Sequence, residues 1–206
     1  MSHSAAFDKF ARSMIIDYSK WHDGEGYDLK ALRAIPEGER DEVERLLIER
    51  NNEDWRDVEA LGALGTPKAK EMVRKALTAH NHQARLEATK WIKDDPDGAA
   101  QRDAVVCEAI RTAQSYGGLS QAMDQAAWHP TLKTTDALFR AALERSGENA
   151  LNAAAALLYI YKITEDTLGW SERPFLLRFL DGGGAPREQV FRELCARCGV
   201  DPAKYL

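Results

Sequence analysis

The chain reads as an all-α protein, an α-solenoid of stacked antiparallel helix pairs with helical caps at both ends. Three observations predict it. One helix-pair pattern runs twice through residues 55–92. Strand signals are nearly absent, with no alternating run of β-branched residues between turn dipeptides. Helix stops and starts recur along the whole chain.

The repeat is the most informative of the three. Trp55 to Leu64 is a helical stretch that stops at Gly65, and Thr66-Pro67 caps and starts the next, where the proline's missing N–H costs nothing. Met72, Val73, Ala76 and Leu77 then share one face, and Ala84 to Ile92 opens the cycle again. Arg56 and Arg85 lie 29 positions apart, a helix-pair period in the solenoid range. Small residues at Ala60, Ala63, Ala76, Ala84, Ala88, Ala126, Ala142 and Ala154 suit close helix approach.

In chain order, helices near 5–19, 28–34 and 37–51 make an N-terminal cap over 1–52. The pairs are 53–64 with 67–79, 82–94 with 96–115, 119–128 with 132–146, and 148–162 with 172–180. Asn81 is the expected cap of the helix over 82–94, and Asp95-Pro96 repeats the cap-plus-proline device for 96–115, which Gly117-Gly118 ends. His129-Pro130 closes the helix of Leu119, Ala122, Met123 and Ala126, with Trp128 expected in the core. The apolar run Ala153–Ile163 reads as a helix buried on nearly all sides. Gly182-Gly183-Gly184 is a spacer before the capping helix 186–199, since no strand precedes it and no Lys-Ser/Thr follows. All 206 residues are expected to form one domain.

Composition narrows the function classes. Hydrophobic residues at 44% and charged residues at 30% are ordinary for a globular protein and provide a core. The net charge of −5 is uneven: residues 1–60 hold 15 acids against 9 bases, residues 61–206 hold 18 against 19. An acidic N-terminal third argues against a nucleic-acid partner and for a protein with a basic surface. The first twenty residues carry Asp8, Lys9, Arg12, Asp17 and Lys20 with no apolar core of a signal peptide, and no run is long enough to span a bilayer. A cysteine count of 3 does not suggest an oxidised framework. These features predict a cytoplasmic protein with no membrane partner.

The densest polar-aromatic stretch is Tyr18 to Asp28. Trp21 and Tyr27 offer rigid contact area, Asp23, Glu25 and Asp28 offer carboxylates, and two glycines loosen the backbone. Three readings fit it: a plug over the open solenoid end, a partner contact, or acid–base chemistry through His22 and its carboxylate neighbours. The contact reading takes Trp21, His22, Asp23, Glu25 and Tyr27, and adds Asp54 and Asp57 beside Trp55; those last acids also suit a helix N-terminus. Cys195-Ala196-Arg197-Cys198 has metal-ligand spacing but lacks a second ligand pair, so the thiols read as structural. No Ser/His/Asp or Cys/His arrangement follows from spacing. The chain is read as non-enzymatic, with no metal and no cofactor.

The segment Asp57 to Pro67, followed by Ala69 to Leu77 and Ala84 to Ala88, resembles HEAT-repeat proteins, and Glu148 to Ile160 resembles them more loosely. The strings Asp17 to Asp28, Asp54 to Ala60 and Phe191 to Cys195 resemble small bacterial HEAT-like proteins. That resemblance implies a helical scaffold that binds another protein, such as an immunity protein neutralising a toxin. The enzymatic alternative implied by the same likeness is a HEAT-like DNA glycosylase of the alkylbase-repair type. It would need aromatic residues beside a carboxylate in a basic groove.

Overall fold

A computed structural model describes residues 3–50, 54–167, 170–180 and 185–206, and every regular element among them is helical. The elements are α1 (Ala5–Ser13), α2 (Tyr18–His22), α3 (Leu29–Ala34), α4 (Glu37–Glu49), α5 (Trp55–Leu64), α6 (Pro67–Ala76), α7 (His82–Trp91), α8 (Gly98–Thr112), α9 (Ser120–Trp128), α10 (Leu132–Glu144), α11 (Glu148–Ile160), α12 (Arg173–Leu176) and α13 (Ala185–Arg197). A π turn at Ser115–Leu119 leads into α9, and short 3-10 turns flank α12 and follow α13. The chain divides into two compact units, residues 1–98 and 99–206. No helix among the described residues is long and apolar enough to cross a membrane.

Capping chemistry explains most boundaries. Asp54, Thr66 and Asn81 each accept a backbone N–H at the start of α5, α6 and α7, and Gly65 closes α5 at φ 67°, where a side chain would be strained. Several boundaries differ from the sequence reading, and the helix expected over 172–180 is the four-residue α12 between 3-10 turns. The stretch expected over 5–19 is two helices, because Asp17 takes the Lys20 N–H and starts α2 afresh. Asp95 does not cap α8; its carboxylate is drawn to the Arg74 guanidinium at 2.8 and 3.0 Å, and α8 begins at Gly98. Gly117 and Gly118 lie beyond the end of α8, inside the π turn. The glycines 182–184 fall outside the described residues.

In the first unit α5 packs against α6, α7 packs against both, and α3 and α4 also pack on α5. Phe10, Leu32, Leu47, Val58, Leu61 and Val73 fill the core. Gly62 permits a close approach: a β-carbon there would lie 2.2 Å from the Trp91 ring, which lies 29 positions further along. In the second unit α11 packs on α9 and α10, and α13 on α10 and α11. Ala153 to Leu158 are all buried, matching the apolar run in the sequence. Trp128, expected in the core, is 62% exposed, because the helix ends there and the ring faces out of the turn.

Arg145 and Arg187 tie the second unit together through backbone carbonyls. Arg145 donates to Ile110 O and Ala113 O at 2.7 Å each, and Arg187 to Ala142 O, Arg145 O and Phe179 O. Helix C-termini leave carbonyls without intrahelical partners, and a guanidinium fork satisfies several at once.

Candidate partner-contact site

The short helix α2 carries Tyr18, Trp21 and His22 on its surface. The Tyr18 ring lies 6.0 Å from Trp21 and 5.9 Å from His22, tilted against each. Tyr18 is 76% exposed and Trp21 is 59% exposed. Lys20 Nζ donates to Ile15 O at 2.9 Å, and Glu25 N donates to Lys20 O at 2.9 Å, so the turn folds back under the helix. Gly24 makes that turn at φ 66°. His22 Nδ1 and Asp23 Oδ1 are 2.9 Å apart, both exposed, and Glu25 is exposed beside them.

Beneath the turn the polar groups are buried and paired. Arg56 is 4% exposed; its Nε donates to Glu25 O at 2.6 Å, its Nη1 pairs with Asp54 at 3.3 Å, and its guanidinium covers the Trp55 ring at 4.6 Å. Tyr27 OH donates to Asp57 Oδ1 at 2.9 Å, and Arg50 bonds both of them. Tyr27 also meets Phe10 edge-on in the core. Burial, reinforced by Asp57, pushes the Tyr27 phenol well above its ordinary range. Burial likewise raises Asp57, with Arg50 and Tyr27 opposing.

The predicted residues therefore separate into two layers. Trp21, His22, Asp23 and Glu25 share one exposed turn. Tyr27 and Asp57 are buried beneath it and hydrogen-bonded to one another. Asp54 is half-buried as the cap of α5 and as an Arg56 partner. Hydropathy could not separate the layers, since the sequence gives Asp23 and Asp57 the same polar character.

Glu87 and its partners escaped the sequence reading, and Glu59 has a setting that its place beside Trp55 did not reveal. Glu59, half-buried on α5, has no hydrogen-bond or ion-pair partner among the described residues, and burial, with Glu87 nearby, raises its pKa. A β-carbon on Gly26 would lie 3.0 Å from Glu59 Oε2 and 3.6 Å from the Trp55 ring, so the turn touches both. On α7, Glu87 is buried and accepts from Lys90 Nζ at 2.5 Å and Trp91 Nε1 at 3.1 Å. The readable signal was the i, i+4 spacing of Trp55 and Glu59 and of Glu87 and Trp91, which places each pair on one helix face.

Cys195 and Cys198 are buried, and burial pushes their thiols up to about 11 and about 12, so neither is a thiolate at neutral pH. Among the described residues no group of three or more His, Cys, Asp or Glu side chains is placed to hold a metal ion. No protein-family model, curated protein or solved structure matches this chain.

Proposed function

We propose that the chain is a non-enzymatic, HEAT-like protein-binding scaffold whose contact surface for a basic partner is the α2 turn. The observation that carries this reading is the exposed Tyr18–Trp21–His22 group beside Asp23 and Glu25, on a turn anchored from below by Arg56. Exposed aromatic rings at a rigid position supply interface area at little entropic cost, and the carboxylates beside them steer a basic surface into place. The solenoid part of the proposal draws support from α5, α6 and α7, where a second helix pair begins against the first. An immunity protein that sequesters a basic toxin is a function of this kind.

The test is capture of the partner from the source cell, followed by affinity measurement with Trp21→Ala and Asp23→Lys. Trp21→Ala is expected to weaken binding by about 2 kcal/mol if the ring is a hot spot. Asp23→Lys should slow association most strongly at low salt. Unchanged affinity in both variants would remove the α2 turn from the interface.

A second reading, the alkylbase glycosylase, draws on one observation: the Glu59 carboxylate, with no ion-pair partner among the described residues, lies beside the Trp55 ring, the pairing that a cationic base would need. Loss of alkylated-base release from DNA in Glu59→Gln, with release by the parent, would favour it. The net charge of −5 weighs against it.

A further inference from the structure

Within the second unit, α8 and α10 do not close on one another along their middle turns. Ala104 and Cys107 on α8 face Ala137 and Ala141 on α10, and between them lies a groove of about 420 Å³. That volume falls in the range of small-molecule sites. Elsewhere in this unit small side chains bring helices into contact, as at the fully buried Ala126, Ala142 and Ala154. Here they leave space. Arg145 spans one end, holding the α8 terminus through Ile110 O and Ala113 O.

The charges on the rim do not cancel. Glu108 is paired with Arg111, Glu144 with Arg140, and Asp136 with both Arg140 and Lys204. Every carboxylate of the groove is thereby matched. Lys133 and Arg145 are left without a carboxylate partner among the described residues, and Arg145 is half-buried. An apolar floor beneath uncompensated cations selects for a ligand that is apolar along its body and anionic at one end.

We propose that the α8–α10 groove binds a small amphipathic anion, an aliphatic or aromatic body carrying one carboxylate or phosphate group, with Lys133 as the principal anion contact and Arg145 adding its field. The site is separate from the α2 turn and does not depend on the protein-binding reading.

Cys107 provides a local reporter, because it lines the groove half-exposed while Cys195 and Cys198 are buried. Its rate of alkylation by a maleimide at mildly alkaline pH is measured with octanoate, octyl phosphate, octylamine or octanol present. Modification of a single thiol per chain confirms that the fold is intact throughout. Octanoate, octyl phosphate or both should protect Cys107 saturably, with about a tenfold slower rate at roughly ten times the Kd. Which of the two protects identifies the head group. Lys133→Glu, an exposed substitution, should abolish that protection and transfer it to octylamine. The proposal is overturned if neither anion protects, if octylamine or octanol protects the parent equally well, or if Lys133→Glu leaves anion protection unchanged.

Discussion

The two units differ in what most of their buried charges bond. In residues 1–98 buried ionic groups face other ionisable side chains: Asp57 with Arg50 and Tyr27, Glu87 with Lys90, Arg56 with Asp54. In residues 99–206 Asp103 also pairs with a side chain, Arg102, but the half-buried Arg145 and buried Arg187 satisfy themselves on backbone carbonyls. A carboxylate network answers to pH within the acidic range, whereas a guanidinium bound to carbonyls keeps its charge throughout. The first arrangement also ties an exposed turn to the core through Arg56, while the second closes helix ends. Buried charge therefore positions a surface in one unit and secures architecture in the other.

The largest expected effect that probes this contrast is Leu61→Asp. Leu61 is fully buried within the apolar core of the first unit, whereas Asp57 four residues earlier is paired with Arg50. An unpaired buried carboxylate costs several kcal/mol, so hydrogen-exchange protection over α5 to α7 should collapse. Retained protection would mean that the α5 seam is not a packed core.

Arg187→Met ranks next. It keeps the apolar stem but leaves three carbonyls without their donor. Hydrogen bonds to a charged group contribute roughly 1.5–3 kcal/mol each, so a loss on the order of 3 kcal/mol or more is expected in denaturant unfolding. Because the guanidinium stays charged, that loss should be the same at pH 5 and pH 8. A strongly pH-dependent loss would break the distinction between the units.

Glu59→Gln should act in the other direction. The folded state raises the Glu59 pKa, so its contribution is complete below the ordinary glutamate range and is lost as pH rises through the raised value. At neutral pH the amide, which has no charge to desolvate, should raise the melting temperature, and the gain should fade below about pH 4, near the unperturbed glutamate value. A variant destabilised at pH 7 would show that the carboxylate has a favourable partner. The smallest effect on stability belongs to Trp21→Ala, expected within roughly 0.5 kcal/mol of the parent, as for exposed substitutions generally. A larger loss of melting temperature would return Trp21 to the role of an end cap.

Much of the helical layout was open to reading from local chemistry alone. Gly65, Thr66-Pro67 and Asn81 act within one turn of themselves, so their caps follow from residue type wherever the chain goes. The buried face of α11 was equally legible, because a run of alanines and leucines has no polar side to show solvent. Two local readings failed for non-local reasons: Asp95 found Arg74, and Trp128 lies mostly exposed at the end of α9.

The sequence by itself determined the all-helical class, most helix boundaries, the acidic first sixty residues and the aromatic content of the Tyr18–Asp28 stretch. Hydrogen bonding along a helix, capping and net charge are properties of short segments, which is why they survive without coordinates. Only the tertiary structure decided that Tyr27 and Asp57 lie inside while Trp21 and Asp23 lie outside, that Glu59 has no hydrogen-bond or ion-pair partner among the described residues, and that α8 and α10 leave a groove between them. Those outcomes depend on which side chains from distant segments arrive at one place. Burial and pairing are sums over such neighbours, and no single residue carries them in its identity.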